Sequence, residues 1–138
     1  MEPQRQYWRA KDRRQLLLAA MESLAGNAYV SFEGDLHSLK LSELPGASGE
    51  ETPVLKRNTI QPRQDFVVLP LEADHAKPIM AAIGGTVPKT ILHVQIEKNG
   101  TLEFGLYDVK EVSPIDTPTS RQLLDQLKEK GIIQQYSD

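Results

Sequence analysis

The sequence predicts an α+β fold: a mainly antiparallel sheet of four to six strands, with about three helices packed mostly on one face. Three observations lead there. Thr90–Val109 reads as a β-hairpin. Stretches near 12–25, 74–83 and 119–130 repeat apolar residues at helical spacing. Glycine, proline and asparagine punctuate the intervals between them.

The hairpin runs from Thr90 to Glu97, turns at Lys98-Asn99-Gly100, and returns from Thr101 to Val109. Side chains alternate along a strand, so Leu92, Val94 and Ile96 share one face, and Leu102, Phe104 and Leu106 share another. A two-residue Asn-Gly turn would set these groups on opposite sides of the ribbon. A three-residue loop, with Gly100 left-handed in a bulged turn, would unite all six. Burial therefore predicts the three-residue loop. His93, Gln95, Glu97, Thr101, Glu103, Gly105 and Tyr107 then form the opposite, polar face, which is expected to meet water or a partner.

At 138 residues the chain suits one domain, spanning 1–138. Apolar residues make up 39% and charged residues 25%, which argues against disorder. Cysteine is absent, which excludes disulfides, thiol catalysis and thiolate metal sites. No apolar run approaches the roughly 20 residues that span a bilayer, and no hydrophobic signal core follows Met1. A cytoplasmic protein without a membrane segment is the expectation. The net charge is −3, but residues 1–14 set five cations against two carboxylates, leaving −6 elsewhere.

Taken in order, the first helix starts near Pro3 or Asp12 and ends at Ala25. Leu17, Ala20, Met21 and Leu24 form its buried stripe, and Gly26-Asn27 stops it. Residues 1–12 are either an N-terminal arm or an extension of this helix, and Asp12 would cap the shorter version. Tyr29–Glu33 predicts a strand, and Leu36–Leu41 a second, shorter one. Residues 42–53, rich in Pro, Gly, Ser and Glu, predict a mobile loop. Val54–Ile60 predicts a strand. Phe66–Leu71 predicts one buried on both sides, with Pro70 at an edge or an end. A second helix covers Asp74–Ile83, with Pro78 in its first turn and Gly84-Gly85 at its end. The order strand, helix, strand permits a parallel crossover from 66–71 to 90–97. A third helix starts near Thr119 or Ser120 and buries Leu123, Leu124 and Leu127. Gly131 ends it, Ile132-Ile133 turn back onto the core, and Gln134–Asp138 frays.

Motifs for chemistry are sparse. Gly84-Gly85-Thr86-Val87-Pro88-Lys89-Thr90 has the composition of a phosphate loop, but proline precedes the lysine. The order is also helix, loop, strand, so the negative end of the helix faces the glycines. His37, His75 and His93 lack metal-binding spacing; Asp35 with His37 supplies only two ligands. No nucleophile elbow occurs. No catalytic residue, cofactor or metal is therefore expected, and the reading leans away from an enzyme.

What remains are surfaces. Tyr7, Trp8 and Arg9, with neighbouring cations, suit self-packing first, a protein interface second and nucleic acid last. His93, Gln95, Glu103 and Tyr107 populate the polar face of the hairpin. The expected function is a small non-catalytic protein-interaction or regulatory domain, of inhibitor or immunity type, acting on a protein partner or a second copy of itself. The alternative is a small-molecule-binding domain or enzyme with its site between the sheet and residues 42–65. Nucleic-acid binding through residues 5–14 ranks third.

Overall fold

A computed structural model describes residues 6–59, 61–108, 111–113 and 115–137 of the chain; at 6, 7 and 135–137 it describes the backbone alone. The elements are β1 (Gln6–Ala10), α1 (Arg13–Leu24), β2 (Ala28–Gly34), β3 (Asp65–Leu71) and α2 (Ala76–Ile83). They continue with β4 (Ile91–Lys98), β5 (Thr101–Tyr107), β6 (Glu111–Val112), α3 (Pro118–Glu129) and β7 (Ile133–Ser137). All seven strands join one antiparallel sheet in the order β3-β2-β4-β5-β6-β1-β7. The class is the α+β expected, with seven strands in place of four to six. No helix among the described residues is long and apolar enough to cross a membrane.

The additional strands come largely from the chain ends. Gln6–Ala10 is neither a loose arm nor a helix extension; it pairs with β7 on one side and β6 on the other. Ile133–Ser137, expected to fray, is the edge strand that β1 holds. Two short segments far apart in sequence make this ribbon, so neither carries a strong local strand signal. Conversely, the strands expected at 36–41 and 54–60 do not form over the described residues, Ile60 lying outside them. A single 3-10 turn at Leu41–Glu43 stands near the first.

The hairpin keeps the two-residue turn that the burial argument rejected. Lys98 pairs with Thr101, and Asn99 and Gly100 take φ of 54° and 80°, the left-handed pair that matches strand twist. The phase problem is solved inside the strand. The register shifts so that Ile96 faces Phe104 while Glu97 faces Leu102, leaving Glu103 as the extra residue of a β-bulge. Val94, Ile96, Phe104 and Leu106 thereby share the main core, and Leu102 packs against a separate cluster of Leu55, Phe66 and Val68.

The three helices cover one face of the sheet. Their buried residues join Val30, Phe32, Val94, Ile96, Phe104 and Leu106 in one core. Asp12 caps α1, its carboxylate accepting from the Arg14 and Gln15 amides at 2.9 and 3.3 Å. Lys98 closes the other end, its ammonium donating to the Leu24, Ala25 and Gly26 carbonyls. Arg13 donates to the Val87 and Pro88 carbonyls, tying α1 to the loop before β4. Helix α3 begins at Pro118, earlier than expected, with Thr117 as its cap. β2 separates β3 from β4, and both are antiparallel to it, so the crossover through α2 joins parallel strands that are not neighbours.

Candidate functional site

The reverse face of the sheet, away from the helices, is not the wet surface the hairpin pattern implied. Cross-strand pairing lays its side chains out in rows. One row runs Phe66, Glu33, His93; the next runs Val68, Ser31, Gln95, Gly105; the third runs Pro70, Tyr29, Glu97, Leu102. Glu33, Ser31, His93, Gln95 and Glu97 are all buried. Burying this many polar groups is costly unless each meets a partner. Residues 48–59, which cross this face as a strap, supply partners for Glu33, His93 and Glu97.

The strap is fastened along its length. Ser48 exchanges backbone hydrogen bonds with Val68 at 3.0 and 2.7 Å. Thr52 donates its hydroxyl to Glu97 at 3.1 Å while accepting from the amides of Val54 and Leu55. Leu55 is fully buried against Phe66 and Val68. The Glu33 carboxylate, only 1% exposed, accepts from the amides of Asn58 and Thr59 at 2.7 and 3.2 Å. The segment expected to be a mobile loop at 42–53 is thus anchored at Ser48 and Thr52.

His93 sits between the strap and the end of β5. Its Nδ1 accepts from the Asp108 amide at 3.2 Å, which places the proton on Nε2, where it donates to the Thr59 hydroxyl at 3.1 Å. Both ring nitrogens are committed, so this imidazole has no free lone pair for general-base work. Tyr107 folds back over Gly105, its hydroxyl accepting from Gln95 Nε2 at 2.9 Å and its ring 5.7 Å from that of His93. A Cβ at Gly105 would lie 2.5 Å from the Tyr107 ring, so a side chain there would push the ring aside. The other end of the Gln95 amide, Oε1, is buried with no partner among the described residues.

Of the residues singled out in the sequence, the fold therefore gathers His93, Gln95 and Tyr107. Glu103 goes elsewhere: as the bulge residue it accepts from the Thr117 hydroxyl and so locks the start of α3 to β5. Trp8 and Arg9 lie on β1, with β5 and β6 between them and β4. Trp8 packs against the main core with the Lys128 ammonium 5.4 Å from its ring centre. The Tyr7 side chain lies outside the described residues. Glu97, placed on this face by the strand alternation, joins His93, Gln95 and Tyr107 through Thr52, whereas Glu33, Ser31, Thr52 and Thr59 were not anticipated. Alternation along β2 does put Ser31 and Glu33 on one side, but only the β2–β4 pairing brings that side to His93.

The outer surface near β3 has a different character. Leu44, Pro45, Leu69, Pro70, Pro78 and Ile79, with His75, enclose a cavity of about 180 Å³. His75 is held at its rim, Nδ1 lying 3.0 Å from both the Glu72 amide and the Pro70 carbonyl oxygen. Tyr29, directly across the ladder from Pro70, is 46% exposed and is the large hydrophobic residue that stands in solvent among the described residues. Pro70, its partner across the ladder, is one of the residues lining the cavity.

Comparison with protein-family models, with curated proteins and with solved structures finds no match to this chain.

Proposed function

We propose that the chain is a non-catalytic protein-interaction domain that acts by masking a basic partner. The observation that carries this reading is the surface at β2 and β3: an exposed tyrosine whose ladder partner, Pro70, lines an apolar cavity. Tyrosine is among the residues enriched at the centres of protein interfaces, and a cavity of this size admits one apolar anchor side chain. Charge favours a basic partner. From residue 15 to residue 55 the sequence holds six carboxylates (Glu22, Glu33, Asp35, Glu43, Glu50, Glu51) and one cation, Lys40. All except Glu33 are exposed, which favours a partner of opposite charge.

The polar reverse face speaks for the same reading. Glu33, His93 and Glu97 are occupied in holding the strap, which is a structural use of groups that a catalytic site would leave free for substrate. Nucleic acid gains no support, since Trp8 packs on the core and Arg13 donates to backbone carbonyls.

The test is quantitative affinity capture from the source cells with the wild-type chain and a Tyr29→Ser, Leu44→Asp double variant. The wild type should retain a reproducible basic protein at low salt, with retention falling as salt rises, and the variant should lose it. Equal retention by both would remove this surface as the interface. One observation favours a second reading, a small-molecule site beneath the strap: the buried, unpartnered Gln95 Oε1. A compound that raises the melting temperature of the wild type but not of Gln95→Leu would favour it.

A further inference from the structure

We propose that the sheet face beneath the strap binds a small organic cation of guanidinium type, held between Gln95 and Glu97. The inference rests on the second reading above and names its ligand chemistry; it is independent of the surface at β3. Gln95 is 5% exposed, and its Oε1 has no hydrogen-bond partner among the described residues. Its Nε2 donates to the Tyr107 hydroxyl at 2.9 Å, so the planar amide turns Oε1 away from Tyr107. Buried side-chain polar atoms are nearly always paired, so this oxygen marks the place of a donor from outside the chain. The strap frames that place. Thr52 holds Glu97 and Thr59 holds His93, the residues two after and two before Gln95 on the same face of β4. Between them Leu55 reaches out to Phe66 and Val68 on β3, and Asn58 returns to Glu33 on β2. With Tyr107 on the β5 side, these contacts form a ring around Ser31 and Gln95.

The groups around Oε1 select the ligand. An amide oxygen only accepts, so it calls for an N–H or O–H donor. Glu97, buried at 8% exposure, stands two residues along the strand, roughly 7 Å away at the usual strand rise. One of its oxygens accepts from Thr52, and a carboxylate offers about four lone-pair sites, so it can accept further donors. The ion pairs among the described residues join Asp35 with His37 and Asp116 with Arg121, so no lysine or arginine among them answers Glu97. A guanidinium group meets both demands together. Its donors lie on separate edges of one rigid plane, so one edge serves Gln95 Oε1 while another pairs with the Glu97 carboxylate. A neutral amide would satisfy Oε1 and leave the carboxylate unanswered. An anion would be set against the buried carboxylates of both Glu33 and Glu97.

The experiment titrates the full chain with methylguanidinium chloride at constant ionic strength, with acetamide as the neutral probe and sodium acetate as the anionic one. Binding is followed by saturation-transfer NMR and by the side-chain amide signal of Gln95 in nitrogen-15-labelled protein. Methylguanidinium should bind saturably and shift that signal, acetamide should bind more weakly, and acetate should not bind. Gln95→Leu removes the unmet oxygen. Glu97→Gln removes the charge and keeps an acceptor for Thr52. Each should weaken methylguanidinium binding at least about tenfold, the loss expected for one hydrogen bond to a charged group. Melting curves without probe separate lost binding from lost fold, and if Gln95→Leu fails to fold, Glu97→Gln decides. Acetamide binding as tightly as methylguanidinium, and lost in Gln95→Leu, overturns the cation while leaving a site beneath the strap. Saturable binding of neither probe overturns both. Methylguanidinium binding that both variants retain assigns it to exposed carboxylates and likewise overturns the proposal.

Discussion

Lys98 shows how much one side chain at a strand end can hold. The last carbonyls of a helix lack intrahelical donors, and α1 has no basic residue of its own in its last turn. The Lys98 ammonium fills that place from β4, reaching three successive carbonyls at 2.7–3.1 Å. Lys98→Met keeps the aliphatic stem and removes the donors. It should cost roughly 1.5–3 kcal/mol, the scale of a hydrogen bond to a charged group, measured by urea denaturation with an unchanged m-value. A loss below about 0.5 kcal/mol would show that solvent satisfies the carbonyls equally well. Nothing in the sequence could announce this contact. Lys98 reads as a turn residue beside Asn-Gly, and the helix end it serves lies over 70 residues away. Asp12 is the opposite case: a cap acts on amides two and three residues ahead, so it was readable in the sequence.

At the scale of elements, local signals told truly and long-range ones did not. The Asn-Gly turn, the three helix stripes, Pro70 on an edge strand and Gly131 at the end of α3 all follow from short-range sterics and periodicity. The hairpin register failed because it assumed an unbroken ladder. A bulge lets the favoured turn coexist with a common apolar face, at the cost of sending Leu102 to the other side. That destination exists only because Leu55, Phe66 and Val68 form a second cluster there, built from residues 34–47 positions earlier in the chain. The same blindness to pairing hid β1 and β7. Close approach between elements is likewise invisible in sequence, and Gly34 makes it testable. Its φ is 150°, and a Cβ there would stand 2.0 Å from the Thr90 carbonyl oxygen, an atom of the backbone. β2 and β4 must separate to admit it, so Gly34→Ala should destabilise by about 2 kcal/mol or more in thermal or denaturant melts. Gly85→Ala is the matched control: no atom lies within 4 Å of its built Cβ, and its φ is outside the left-handed range.

For the whole molecule, the question is whether sheet and strap open as one body. The sheet is secured by backbone ladders and the main core. The strap is held mostly by side chains: Glu33 on two amides, Thr52 with Glu97, Thr59 with His93, and one buried leucine. Segments with few apolar contacts open at lower free energy than core strands. Hydrogen exchange should therefore resolve two levels of protection, with the amides of Leu55, Asn58 and Thr59 exchanging ahead of those of Val30 and Ile96. Glu33→Leu removes the acceptor of two strap amides while placing an apolar side chain on a buried position. It should speed exchange at Asn58 and Thr59 by at least about tenfold, equivalent to roughly 1.4 kcal/mol, and speed Val30 and Ile96 by clearly less. Acceleration of all these amides by one common factor would mean that strap and sheet unfold together. The buried polar face would then be sealed in every folded molecule. Separate acceleration would make the strap a door over Ser31, Gln95 and Glu97, reachable without unfolding the sheet, and only in that case can the free end of the Gln95 amide meet a ligand.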